Sequence, residues 1–401
     1  MRPHCERTGV ATKEYKVILS LGDTTFLDYK KIKEKREGYG PTGKGGNGLI
    51  VHSAMAVDAE TGQTIGLLWQ KVWSREEKEK APAGETVEEK KEREAEKRKK
   101  ARERKFEEKE SYKWVEGMRE VEKKVEKTER VIHIFDREGD VTEVLEKCSE
   151  MENTGGVIRA THNRKLEKNE KRLWQKMESE AIKFEQEIVL SGTGSKKERK
   201  AKLAVRYSAV RLQKPYRFEV RESLKVYAVY ATEIECPEGE KPISWMLLTT
   251  EVVENVEEAS TILRWYNYRW RIEEYHKILK SGCQTERYRL AALGMKTLLG
   301  FLSVIAVELL KITYLHRNQP LTPASEILTP LQIEVLIAGA RNKPPRILTV
   351  AWAVECIAYL GGYLEHRQKT LIGIQVLWRG LLKLHDLCQG WLLAKSTYRE
   401  K

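Results

Sequence analysis

The chain is poor in cysteine, and none of it is arranged as a pair. Cys5, Cys148, Cys236, Cys283, Cys356 and Cys388 are scattered over 401 residues without a CxxC step or a Cys/His group at zinc spacing. This argues against a structural zinc site and predicts reduced, mostly buried thiols of a cytoplasmic protein. An apolar leader is also missing, because Met1 to Ala11 is polar. Long apolar runs are scarce. In the most apolar stretch, residues 290 to 314, Lys296 and Glu308 bracket only about eleven uncharged residues, short of the ~18 needed to span lipid, so a buried helix is expected. No repeat of solenoid period is present. Acidic residues are outnumbered: 73 Lys+Arg against 60 Asp+Glu give a net charge of +13, which suits a polyanionic partner through counterion release.

What is present falls into blocks. Tyr15 to Leu21 (YKVILSL) reads as a buried strand that ends at Gly-Asp and delivers Asp23 at its C-terminal end. Leu49 to Val57 and Thr64 to Trp73 read as two further strands, completing a meander. From Ser74 to Arg130 the composition turns to Glu, Lys and Arg, which predicts a solvated helix laced with i,i+4 ion pairs and, as the alternative, a DNA-facing one. An apolar seam for a coiled coil is absent. Val131 to Phe135 (VIHIF) again ends in an aspartate, Asp136, followed by a helical stretch and by Val157 to Thr161 as a strand. Residues 185 to 251 are rich in Val, Tyr, Ile and Thr and read as mainly β. After Val252 the pattern is helical almost to the end, with breaks at NQPLTP and NKPPR.

Residues 265 to 280 read WYNYRWRIEEYHKILK. At ~100° per residue on one helix, Tyr266, Arg269, Glu273 and Lys280 fall within roughly 60° of one another, with Lys277 on the same stripe. Such a stripe is commonly an exposed ion-pair face. Here Trp265, Tyr268, Trp270 and Tyr275 accompany it, and rings among cations suit bases beside phosphates. A carboxylate held there can bind a divalent cation whose other neighbours are phosphate oxygens. His276 reads as a surface polar group or phosphate contact rather than a metal ligand, since no second His or Cys stands at ligand spacing.

The spacing Y-x2-R-x3-E-x6-K, met by Tyr266, Arg269, Glu273 and Lys280, resembles the signature of DDE transposases of the IS-4 family. GDTTFLDY around Asp23 and FDREGD around Asp136 are similar to that family's first two acidic segments. VHS at Val51 to Ser53, ESYKW at Glu110 to Trp114, SWMLLT at Ser244 to Thr249 and LGGYLEHRQKT near the C-terminus follow in family order. The likeness runs from about residue 15 to the end and is weakest before Arg130.

The resemblance implies an α/β fold: an RNase H-like catalytic core, a mainly β insertion between the second and third acidic residues, and an α-helical C-terminal dimerisation region. The implied division is 1–184 for the first part of the core, including the charged segment 74–130, then 185–251 for the insertion, 252–315 for the catalytic helix and core completion, and 316–401 for dimerisation. It implies Asp23, Asp136 and Glu273 as catalytic and metal-holding acids with Mg²⁺, or Mn²⁺ in its place, acting on the ends of an insertion sequence and on target DNA. Three acids are sufficient for two-metal displacement at phosphorus. By similarity Trp245 stacks on an extruded base, with Arg137 and Arg159 near it. Tyr266, Arg269 and Lys280 grip phosphates, and Lys277, His276 and Arg289 are further DNA contacts. A homodimer in a DNA-bound synaptic complex in the bacterial cytoplasm, associated with the nucleoid, is implied as well.

Other readings stay open beside these. Asp23 also suits a turn cap. Glu138 or Asp140 is an alternative ligand, because REGD offers acids two and four residues beyond Asp136. Trp245 precedes an apolar run and suits a core position. Relatives carry a helical DNA-recognition domain ahead of the first aspartate, whereas Asp23 lies close to Met1. A catalytically idle remnant that pairs with a full-length copy is therefore an alternative, as is another RNase H-like nuclease.

Overall fold

The computed structural model describes all residues except 30–36, 44, 78–83, 126–127, 168–171, 191–198, 216–217, 219–221, 341–342, 365–371 and 400–401. Helix α1 (Arg2–Ala11) leads into the long strand β1 (Val17–Asp28). Strands β2 (Gly40–Gly43), β3 (Gly46–Asp58) and β4 (Thr64–Trp73) follow, and β1, β3 and β4 form the expected antiparallel meander. The first strand does not stop at Leu21. It pairs with β3 as far as Asp28 opposite Gly48, so Asp23 lies within a strand rather than at its end. Gly-Asp is a poor strand pair by propensity, but antiparallel pairing overrides it. Gly22 is needed there for another reason: a Cβ would run into the ring of Phe135.

The charged segment resolves into two helices of different character. Helix α2 (Val87–Glu103) opens with a capping box between Thr86 and Glu89, and none of its described side chains is buried. Helix α3 (Lys113–Glu122) buries Trp114, Val115, Met118 and Val121 against the sheet. Strand β5 (Arg130–Phe135), helix α4 (Thr142–Glu150) and strand β6 (Thr154–Arg159) come next, and β5 lies parallel to both β1 and β6. After helix α5 (Leu173–Ser179), strands β7 (Phe184–Leu190), β8 (Arg199–Leu212), β9 (Leu224–Ile234) and β10 (Ser244–Thr249) form an antiparallel run. β10 pairs with β6, so this run extends one ten-stranded sheet in the order β2-β3-β1-β5-β6-β10-β9-β8-β7, with β4 on β3.

The remaining chain is helical: α6 (Val256–Tyr268), α7 (Trp270–Lys277), α8 (Ala292–Asn318), α9 (Pro330–Ala338), α10 (Val350–Leu360) and α11 (Ile374–Arg399). Leu19, Leu21, Ile132 and Ile134 face Ile262, Leu263, Ile272, Tyr275 and Leu302 of the α6–α8 layer. On the opposite face Phe135, Ile158 and Leu248 pack with Trp114, Met118, Val144 and Leu145. Helices therefore cover both faces of the central parallel strands, an arrangement compatible with the RNase H-like core implied by the resemblance. Helix α8 is long and apolar enough to cross a membrane by length and composition, yet Met295, Leu299, Leu302, Ala306 and Leu310 are buried in the core. Each such leucine contributes roughly 1.5–3 kcal/mol by leaving water. Four of the six cysteines, Cys5, Cys148, Cys283 and Cys388, are buried, and all six are free thiols.

Candidate active site

Period-two alternation places Asp23 in line with Leu19 and Leu21, and Asp136 in line with Ile132 and Ile134. Those apolar residues face the α6–α8 layer, so both aspartates emerge on that side. The parallel register sets Gly22 beside Phe135, and the next residue on each chain is an aspartate. Adjacent strands run about 4.8 Å apart, so the two carboxylates are near neighbours. β5 ends at Phe135 while β1 continues, which opens the sheet surface at the level of both acids.

The third acid comes from the helical layer. The Tyr266 hydroxyl donates to Asp136 Oδ1 at 3.1 Å, and His276 Nδ1 stands 3.2 Å from Asp23 Oδ2. Glu273 lies between those two residues along the chain and takes Arg269 Nη2 at 2.5 Å. The side chains of Asp23, Asp136 and Glu273 are 24%, 34% and 33% exposed, so each keeps a path to solvent. Burial lifts the Glu273 pKa above the usual carboxylate range; the charges of Asp23 and Asp136 push the same way and Arg269 opposes them. The charges of Asp23 and Asp136, far away in sequence, thus both act on Glu273.

A family model described as a transposase DDE domain matches residues 8–307. The chain belongs to the DDE transposase family. DNA is the substrate class of this family, and cutting and transferring DNA strands is its activity.

In this transposase the acids rest on a built support. Tyr266 is 3% exposed, its pKa is pushed up to about 12 by burial and then by the Asp136 charge, and its ring meets Trp245 edge-on at 5.1 Å. Burial opposes the charge of Arg269, but Tyr266, Glu273 and Asp136 outweigh it and hold the guanidinium ionised. Beneath the helix, Gln70 Nε2 donates to the Tyr275 hydroxyl at 2.9 Å and to Ser53 Oγ at 3.1 Å, while the Ser303 hydroxyl donates to Gln70 Oε1 at 3.0 Å. This buried network joins β3, β4, α7 and α8 and sets how α7 is rotated over the sheet. Ser53 is the register partner of Asp23, so the same network underlies the first acid. No sequence pattern pointed to Gln70, Ser53, Tyr275 or Ser303 as a group. His276 had a legible signal in its i+3 spacing from Glu273.

The helix of residues 265 to 280 is not one regular helix. It passes from α6 through Arg269 into α7 and then into a π turn, Ile278–Gly282. Ile272 and Leu279 point into the core. Tyr266 and Arg269 are buried beside the acids instead of lining an outer face, because the apolar layer of α6 turns them inward. Lys280, carried by the π turn, donates to the Phe26 carbonyl at 2.9 Å and lies 3.4 Å from Glu286. His276 is 5% exposed, which corrects its reading as a surface group; its Nε2 has no hydrogen-bond partner among the described residues. Arg159 reaches Asp136 at 3.8 Å and donates to the Ser244 carbonyl at 3.0 Å. Trp245 is half-buried. Arg137, Lys277 and Arg289 are exposed.

The two alternative acids lie elsewhere. Asp140 is fully buried, ion-paired with Arg164, and accepts the backbone N–H groups of Thr161 and His162 at 2.6 and 3.0 Å. That carboxylate ties the chain after β6 to the loop after β5, and its ion pair and hydrogen bonds give it a structural role. Glu138 is 63% exposed and lies 3.6 Å from Lys113. Among the described residues, no group of three or more His, Cys, Asp and Glu side chains is drawn together tightly enough to form a metal site. The chemistry of the donors still fits a hard cation: all three groups are carboxylates, and one oxygen of each, Asp23 Oδ1, Asp136 Oδ2 and Glu273 Oε2, takes no hydrogen bond among the described residues.

Proposed function

We propose that this DDE transposase cuts and rejoins DNA at the opening between β1, β5 and α7, with Asp23, Asp136 and Glu273 as its catalytic and metal-holding acids. The reading is carried by one observation: Tyr266, His276 and Arg269, all buried, each hold one oxygen of Asp136, Asp23 and Glu273 respectively, while those acidic side chains stay 24% to 34% exposed. Mg²⁺, or Mn²⁺ in its place, matches an all-oxygen set. Two divalent cations bound there supply activation of the attacking oxygen and stabilisation of the leaving one. Tyr266, His276 and Arg269 orient the three carboxylates before substrate arrives. In cleavage the water oxygen bonds to phosphorus as the P–O3′ bond breaks, leaving a 3′-hydroxyl and a 5′-phosphate. In joining, that 3′-oxygen attacks a second phosphorus and expels its O3′.

The finer assignment is to the IS-4 family, and YRWRIEEYHKILKSG resembles the Tn-5 transposase. On that reading excision proceeds by nicking, hairpin formation, hairpin opening and strand transfer. A hairpin needs a distorted backbone relieved by a flipped base. Trp245, half-buried and edge-on to Tyr266, supports a stacking role beside Asp136. Arg137, Arg159, Lys277, Lys280 and Arg289 supply cations for phosphates. Leu382, Leu387, Leu392 and Leu393 of α11 are 46%, 48%, 47% and 69% exposed, which supports a homodimer through the C-terminal helices.

The deciding experiment incubates the purified protein with Mg²⁺ and pre-nicked duplex carrying the ends of its own element. Hairpins or strand-transfer products are expected from the wild type and not from Asp136→Ala. If replacing each of the three acids by alanine leaves product unchanged, the assignment fails. Products with unnicked, unrelated duplex would instead favour a general RNase H-like nuclease. A folded wild type without products would favour an idle partner of a longer copy.

A further inference from the structure

Helix α2 buries none of its described side chains, and one of its faces is basic and free of acids. At ~100° per residue Lys90, Arg93, Lys97, Lys100 and Arg104 fall within about 80° of one another with no acid among them. Glu89 and Glu94 flank this face, and Glu88, Glu92, Glu96 and Glu103 lie opposite it together with Lys99. The stripe runs fourteen residues, about 21 Å at ~1.5 Å per residue. Arg93 pairs with Glu85 and Lys100 with Glu96, whereas Lys90, Lys97 and Arg104 have no ion-pair partner among the described residues. The helix is apolar only at Val87, Ala95 and Ala101, so no seam exists for a hydrophobic partner.

The segment carrying this helix is rooted at the acid site. Arg75 donates through Nε and Nη2 to Glu110, both at 2.7 Å, and clamps its two ends together. The Arg75 guanidinium stands 5.6 Å from the centre of the Phe26 ring, three residues beyond Asp23, and the Phe26 carbonyl receives Lys280. Past Glu110, Lys113 approaches Glu138, two residues beyond Asp136. A helix with one basic, acid-free face is thus carried by a segment whose two ends are anchored beside the acids.

We propose that the Lys90–Arg104 stripe of α2 grips the backbone of the duplex flanking the phosphodiester that reacts, without reading its sequence. The partner is a regular row of anions, which is what a stripe of evenly spaced cations and no apolar contact recognises. This rests on the acid site acting on DNA, as proposed above. The rival occupant is the acidic side of α2 in a second copy of the chain.

The test is a salt titration of binding to a duplex of unrelated sequence, without divalent ions. Each lost phosphate contact lowers the slope of log Kobs against log salt by about 0.9. The variant Lys90→Gln, Lys97→Gln, Lys100→Gln, Arg104→Gln keeps helix propensity and removes no buried group, so an unchanged urea midpoint is expected. Its slope should fall by roughly 2 to 4 and its affinity at moderate salt by tenfold or more. The control Glu88→Gln, Glu92→Gln, Glu103→Gln should bind as tightly as the wild type or tighter. An unchanged slope in the first variant overturns the proposal. So does a control that weakens binding as much, or a first variant that only loses self-association in sedimentation. Asp136→Ala run alongside keeps the two readings apart: its cleavage tests the acids, and the slope tests the stripe.

Discussion

Tyr266→Phe separates two roles for the phenol. The residue is 3% exposed and its hydroxyl donates to Asp136 Oδ1 at 3.1 Å. Phenylalanine keeps the ring against Trp245 and beneath the Arg269 guanidinium, so only the hydroxyl is lost. A hydrogen bond to a charged group is worth about 1.5–3 kcal/mol. Because the Asp136 side chain is 34% exposed, water replaces part of it, leaving about 1–1.5 kcal/mol. If that energy fixes where the free Oδ2 points, the cleavage rate at saturating DNA and metal falls about 5- to 13-fold. Affinity for DNA without divalent ions should stay within about twofold, because the lost group faces Asp136 and not solvent. Single-turnover cleavage of an end-labelled duplex, with a parallel binding titration, reads both quantities. A tenfold loss of affinity with an intact rate would refute the reasoning and return the hydroxyl to a phosphate.

Two further outcomes follow from the buried groups. Asp140→Ala strips Arg164 and two backbone N–H groups of their acceptor and should cost about 3–5 kcal/mol in urea unfolding, with the cleavage rate per folded molecule retained. A loss of metal-dependent rate at full stability would instead make Asp140 a ligand. Burial lowers the His133 pKa from 6.5 to about 3, so the unfolded chain takes up a proton below 6.5 that the fold refuses. Stability is therefore held above pH 6.5 and lost as pH falls toward 3, on the order of 5 kcal/mol from this residue. His52, also pushed down by burial, acts in the same direction. His133→Leu should flatten the acid limb of a pH series of urea midpoints, and an unchanged limb would refute the assignment.

Much of this protein was legible in the linear chain because local physics decides it. Apolar runs with turn residues between them define β3, β4 and β5, and a strand followed by an acid marks Asp136. Fixed spacing on a helix ties Tyr266, Arg269 and Glu273 together wherever the helix lies. The solvated character of α2 follows from composition alone, since a helix with almost no apolar residues has nothing to bury. The trailing strands of residues 185 to 251 announced themselves as β, but which sheet edge they would join did not appear in their composition.

Pairing and packing decided the rest. Only the antiparallel partnership with β3 carries β1 past Gly22, and only the parallel register with β5 sets Asp23 beside Asp136. Propensity at a single glycine cannot weigh those non-local bonds. The apolar faces of α6 and α7 settle against the sheet, and that choice turns Tyr266, Arg269 and His276 inward onto the acids. An exposed stripe and a buried clamp share the same spacing, and the surroundings that tell them apart come from Asp136 and Asp23, 130 and 253 residues away along the chain.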